Sequence, residues 1–238
     1  MSKNRDKTVG IIGGMGPEAT IDLMQRIILL TPVLDDIDHI RCIVDNNPKV
    51  PSRIRAIIDG DGENPGPCMA GMGKKLETHG ADFLVIACNT AHYYYDVVQK
   101  AVNIPVINMI DLVAKHVKIN FPEQDTIGML ASPAVSMTGL YAKKLNKLGI
   151  RDIWPDSDYQ DTLFNVIKEI KTGNTSLTVR DDFKKVCKHL SNKGVKTAII
   201  ACTELGILDS PSYLNSLDAA QILATEIVQI AKSENKLH

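Results

Sequence analysis

Two stretches more than a hundred residues apart read almost alike: GADFLVIACNTAH at 80–92 and GVKTAIIACTELG at 194–206. In each, a Gly lies eight residues before a Cys, an apolar run follows, and Ala-Cys-polar-polar closes the phrase. A Leu precedes each Gly by four residues, Leu76 before Gly80 and Leu190 before Gly194. Short apolar runs that alternate with helical patterns indicate βα units. A phrase that occurs twice indicates a duplicated half-domain, which brings Cys88 and Cys202 to equivalent strand ends.

A second pair of runs supports the duplication. VGIIG at 9–13 resembles TIGML at 126–130; Gly10 leads Cys88 by 78 residues and Gly128 leads Cys202 by 74. The expected architecture is α/β, with two pseudo-symmetric domains, each a mostly parallel sheet flanked by helices, and an active site in the interdomain cleft. The first lobe is expected at 1–113 plus 209–238, with the amphipathic C-terminal helix (Ala220, Leu223, Ile227, Ile230) packed back on it. The second is expected at 114–208. Pro17 suits the first turn of a helix carrying Leu23, Ile27 and Leu30. Further expectations are strands at 40–44 and 83–87, helices at 53–58, at 68–79 and after Asn89, and an N-cap at Asp111.

The chain has 238 residues, 44% apolar and 23% charged, with a net charge of −1 and no basic block. That balance argues against nucleic acid as a partner. No apolar stretch reaches membrane-spanning length, and the N-terminus lacks the pattern of a secretory signal. Five cysteines without CxxC spacing read as reduced thiols in a cytoplasm. The histidines form no HxH or HExxH pair, so no metal site is expected.

Ligands of parallel α/β sheets sit beyond the carboxyl ends of the strands. Cys88 and Cys202 therefore face such a crevice, followed by Asn89-Thr90 and Thr203-Glu204 where the chain turns. Backbone amides there are expected to stabilise a thiolate and lower its pKa. A lone free cysteine is commonly a small buried hydrophobe; the matched pair favours chemistry. GGMGPEAT at 13–20 is a weak dinucleotide fingerprint but suits backbone amides approaching a small carboxylate. Arg53, in the proline-stiffened loop NNPKVPSR, suits bidentate carboxylate recognition, with Arg55 as its competitor. His92 reads as a helix-capping residue or a proton carrier, and Tyr93–Tyr94–Tyr95 as packing.

Taken together, GGMGPEAT, NNPKVPSR, ACNTAH and ACTELGIL closely resemble the cofactor-independent aspartate/glutamate racemase family, in order and approximate spacing from Val9 to the final helix. Where glutamate racemases carry Asp-Ser-Gly and Cys-Thr-His, this chain has Gly-Gly-Met and Cys-Thr-Glu, which favours the aspartate branch. The resemblance implies racemisation of aspartate, or glutamate, by two bases without pyridoxal phosphate, metal or any other cofactor, commonly in a homodimer. Carried over by motif, Cys88 and Cys202 are the acid/base pair, and Arg53 contacts the side-chain carboxylate. Asn89, Thr90 and Thr203, with the Met15-Gly16 turn, hold the α-carboxylate or amino group, and Glu204 adjoins them. Lys171 stands where some aspartate racemases place a second basic residue, with Lys168 close by.

The turn LASPAVS at 130–136 departs from the Thr-rich turn of many aspartate racemases: Ser132 supplies a hydroxyl, while Pro133 removes a backbone donor. Substrate scope is therefore less defined than reaction type. Competing readings are a sister activity on another small dicarboxylate or a hydantoin, and a two-lobed binding or thiol redox-sensing protein.

Overall fold

The computed structural model describes residues 6–233. Among the described residues the chain forms two four-stranded parallel sheets flanked by helices. The first half runs β1 (Val9–Gly13), α1 (Pro17–Leu30), β2 (Cys42–Asn46), α2 (Pro65–Thr78), β3 (Phe83–Ile86), α3 (Tyr95–Gln99), β4 (Val106–Ile107) and α4 (Met109–Asn120). The second runs β5 (Thr126–Leu130), α5 (Pro133–Thr138), α6 (Leu140–Lys147), β6 (Arg151–Ile153), α7 (Ser157–Lys171), α8 (Leu177–Asn192), β7 (Thr197–Ile200), β8 (Asn215–Asp218) and α9 (Ala219–Lys232). The sheet orders β2-β1-β3-β4 and β6-β5-β7-β8 are the same order written twice. No helix among the described residues is long and apolar enough to cross a membrane.

The repeated Leu-x3-Gly spacing has a local cause. Gly80 and Gly194 adopt left-handed φ of 95° and 84°. The amides of Gly80 and Ala81 bond back to the carbonyls of Glu77 and Leu76, and those of Gly194 and Val195 to Ser191 and Leu190. This is a Schellman ending, in which Gly bears the positive φ and the Leu three places inside the helix supplies the last carbonyl. It stops α2 and α8 alike and aims the next residues into the sheet. Gly10 and Gly128 repeat the equivalence: a Cβ on Gly10 would meet Leu76, Ala81 and Leu84, and one on Gly128 would meet Leu190, Val195 and Ala198.

Strand side chains alternate between faces. Val9, Ile11, Phe83 and Val85 of the first sheet share one apolar core with Ile127, Met129 and Ile199 of the second, closed by α4, α6 and α9. Ile12, Leu84 and Ile86 point to a separate core under α2, and Leu130, Ala198 and Ile200 to another under α7 and α8. Both faces of each sheet are thus covered, which explains the unbroken apolar runs. Gly128 sits where this packing is tight, its built Cβ falling 2.7 Å from Val195 Cγ1. A Gly128→Ala substitution is expected to destabilise by about 1–3 kcal/mol, read as a lower urea midpoint at unchanged m-value.

Several sequence expectations are corrected. Residues 215–218, assigned to the first lobe, form β8 and pair in parallel with β7, Thr197 opposite Asn215. The boundary expected at 209 therefore cuts through the second sheet; α9, which packs on α1 and α4, begins only after Asp218. Asp111 is not an N-cap. Asn108 caps α4, its Oδ1 accepting from the amides of Ile110 and Asp111. The helix expected from 68 starts at Pro65 behind an Asn64 cap, and the strand expected from 40 starts at Cys42. After Asn89 comes a 3-10 turn, Thr90–Tyr94, before the short α3.

Candidate active site

Cys88 follows β3 and Cys202 follows β7, the corresponding strand of each sheet. Both line one cavity, together with Arg53, Asn89, Thr90 and Lys171. Met15, Ser132, Thr203 and Glu204 complete the set expected from sequence; Gly16, beside Met15, does not reach the lining. The cavity measures about 40 Å³, room for a few waters, since one needs at least ~10–15 Å³. A larger groove of about 550 Å³ between α4 and α9 holds neither thiol.

The turn between β1 and α1 is tied down by Thr20, whose hydroxyl accepts from the Gly14 amide at 2.9 Å. Arg53 reaches across this turn. Its Nη2 donates to the Met15 carbonyl at 3.2 Å, and its Nη1 donates to the Pro51 and Val50 carbonyls at 3.1 and 3.4 Å. Arg53 Nε is buried and has no partner among the described residues. Its competitor Arg55 is 61% exposed and pairs with Asp61, away from the cavity.

Near Cys88, Asn89 Oδ1 accepts from the Tyr141 hydroxyl at 2.6 Å, while Asn89 Nδ2 is buried without a partner among the described residues. Thr90 Oγ1 and Ser132 Oγ lie 3.4 Å apart, joining the two halves. His92 is buried between Cys88 and α4: Nδ1 bonds the Cys88 carbonyl at 2.9 Å and Nε2 accepts from the Met109 amide at 3.1 Å. That pair of bonds needs the neutral ring with its proton on Nδ1. Burial pushes the His92 pKa down to about 4. The folded value lies below the unfolded one, so this stability is present above about 6.5 and lost as pH falls toward 4. The expected loss is on the order of 3 kcal/mol, and His92→Gln should flatten the fall in unfolding free energy over that window.

Around Cys202 the turn bends Glu204 back onto the thiol. Cys202 Sγ donates to Glu204 Oε2 at 2.9 Å, and Thr203 Oγ1 donates to the same oxygen at 3.3 Å. Glu204 Oε1 faces Lys171 Nζ at 3.5 Å. Burial, then the charge and hydrogen bond of Glu204, hold the Cys202 pKa well above the ordinary thiol value; Lys171 opposes this and Cys88 adds to it. The expectation that turn amides lower the pKa fails at Cys202, because the thiol is buried and its hydrogen-bond partner is a carboxylate. Burial works against the Lys171 ammonium, yet Glu204 and both thiols hold its pKa above the usual value. Lys171 is 46% exposed and enters from the surface, whereas Lys168 lies over the Phe164 ring, 4.2 Å from its centre.

Phe164 and Ile167, absent from the sequence reading, also line the cavity. Their signal is spacing: 164, 167 and 171 fall on one face of α7, so placing Lys171 places them as well.

Comparison with known proteins adds an independent line. A family model described as Asp/Glu/Hydantoin racemase matches residues 12–227. The chain is 28% identical to the broad specificity amino-acid racemase RacX of Bacillus subtilis, over 92% of this chain and 96% of that protein. Its fold is similar to that of Picrophilus torridus aspartate racemase, with a TM-score of 0.85, 31% identity, and 97% and 96% of the two chains covered. Glutamate racemase isoform RacE1 of Bacillus anthracis shares the fold at a TM-score of 0.66 and 21% identity, with coverage of 96% and 82%.

Proposed function

Since the chain belongs to the Asp/Glu/hydantoin racemase family, we propose that it interconverts L- and D-aspartate by proton transfer between two cysteines. The observation that carries this reading is the pair of thiols, from corresponding strand ends of two like sheets, on one cavity.

Racemisation removes a weakly acidic α-proton from one face and returns a proton to the other. One thiol must start ionised and its partner protonated, so the pair titrates as a unit. Like charge across a small cavity disfavours two thiolates. The Glu204 carboxylate further biases the proton toward Cys202. Thr90, Ser132, Thr203 and the unpartnered donors of Arg53 and Asn89 offer fixed dipoles to an anionic substrate. Donors left unsatisfied in a buried site are costly, and a carboxylate would satisfy them. Arg53 and Lys171 supply the positive charge for a second carboxylate. The cavity must widen to admit the substrate, and closure then excludes water. The reading includes a homodimer in a reducing compartment, where the thiols stay unpaired.

Initial rates for both enantiomers of aspartate, glutamate and apolar amino acids, with maleate alongside, test the substrate. Aspartate is expected to turn over fastest; isomerisation of maleate without racemisation would overturn the reading. A broader amino-acid scope, the named activity of the Bacillus subtilis relative, is the second reading. Glu204 lies 3.5 Å from Lys171 and so offsets part of the pull on a second carboxylate.

Glu204→Gln should lower the Cys202 pKa, since the substitution removes the carboxylate charge that raises it alongside burial. In a Cys88→Ser background, where Cys202 reports alone, the thiolate absorbance midpoint should move to lower pH. An unmoved midpoint would contradict the assigned cause.

A further inference from the structure

Tyr141 is fully buried on α6, in the core shared by the two sheets, and its hydroxyl reaches 52 residues back along the chain to Asn89 Oδ1. Burial pushes its phenol pKa far above the ordinary value, so the group remains a proton donor at every working pH. An Asn side chain offers one acceptor, its carbonyl oxygen, and two donors on nitrogen. Reversing the amide would let the hydroxyl accept from Nδ2 but would leave its own buried proton without an acceptor, so donation to Oδ1 favours the observed flip. The nitrogen is left on the other side, buried and without a partner among the described residues, on a residue that lines the thiol cavity.

We propose that Tyr141 is a positioning residue for substrate binding: it holds the Asn89 amide so that Nδ2 donates to a substrate carboxylate. The inference rests on the racemase reading for the identity of the substrate, and on the hydrogen bond for the orientation. The amide is planar and its two ends differ only in donor and acceptor character. Without Tyr141 nothing penalises the reversed flip, and a population in which about one molecule in ten still presents the donor binds an anion about tenfold more weakly. The same hydroxyl joins α6 in the second half of the chain to the Cys88 turn in the first.

The test is a double-mutant cycle read by aspartate binding in a calorimeter and by turnover. Tyr141→Phe removes one oxygen and keeps the ring packed. It should weaken aspartate binding and lower kcat/KM about tenfold, the effect of one lost hydrogen bond. In an Asn89→Ala background the same change should add nothing, because no amide remains to orient. Asn89→Asp covers the case in which Tyr141→Phe fails to fold. It keeps an acceptor for the Tyr141 hydroxyl but replaces the donor with a repelling oxygen, and should abolish binding in protein whose circular dichroism shows it folded. Additive losses in the cycle, a Tyr141→Phe protein within twofold of the parent, or an Asn89→Asp protein that binds aspartate normally would each overturn the proposal. Parent protein that binds aspartate without racemising it would instead count against the racemase reading, and the binding arm would still decide the role of Tyr141.

Discussion

Changing either Cys88 or Cys202 to serine is expected to abolish racemisation in both directions. A serine hydroxyl keeps nearly the shape of the thiol but ionises far less readily, so it neither abstracts an α-proton nor returns one at a useful rate. Positioned acid–base groups typically contribute about 10²–10⁴-fold. In the proposed mechanism each direction of the reaction uses one thiol to take a proton and the other to give one. A single substitution therefore disables both enantiomers, and the double substitution should be scarcely worse than either single one. Circular dichroism of aspartate solutions follows the conversion directly. Near-full turnover by either variant would refute the two-base assignment.

Gly14→Ala is expected to be the most damaging small substitution outside the thiols. Gly14 has φ of +87°, and a Cβ there would stand 2.3–2.4 Å from the backbone N, C and O of Asn47. The left-handed conformation costs about 1–2 kcal/mol for a residue with a Cβ, and forced overpacking adds roughly 1–3 kcal/mol. Because backbone atoms are the obstacle, no rotamer change relieves the clash. The loop that must yield carries Arg53, whose guanidinium holds the Met15 carbonyl. Melting should fall by about 5–15 °C, with aspartate binding impaired in whatever remains folded. Gly71→Ala is the matched control: its Cβ would meet nothing within 4 Å inside α2, and a helical Ala should stabilise slightly. Equal melting temperatures for the two variants would contradict this account of the turn.

The elements most readable from sequence are those with a local cause. The phrases ending at Cys88 and Cys202 combine a Schellman Gly, a Leu inside the preceding helix and a strand covered on both faces, all within thirteen residues. The strand β8 was not readable, because Asn215–Asp218 contains one large apolar residue, Leu217, and gains its identity only by pairing with β7. The N-cap fell on Asn108 instead of Asp111 because both are capping residue types, and the backbone path decides between them. Within the site, the residue types around the two thiols carried their own signal. The bond from Cys202 to Glu204 did not, since it depends on a turn that folds a carboxylate back over two residues. Tyr141 had no local signal at all: LYAKK reads as an ordinary helical face, and its partner lies in the other half of the chain.

Proton exchange in heavy water tests the proposed pair of bases most directly. Each enantiomer of aspartate is incubated separately to low conversion, and deuterium at Cα is then measured in the product and in the recovered substrate. If one sulfur abstracts and the other returns, the product is deuterated from the first turnovers, while the recovered substrate keeps its proton. Deuterium appearing equally in substrate and product from the outset would mean that one base serves both faces, and that would contradict the account.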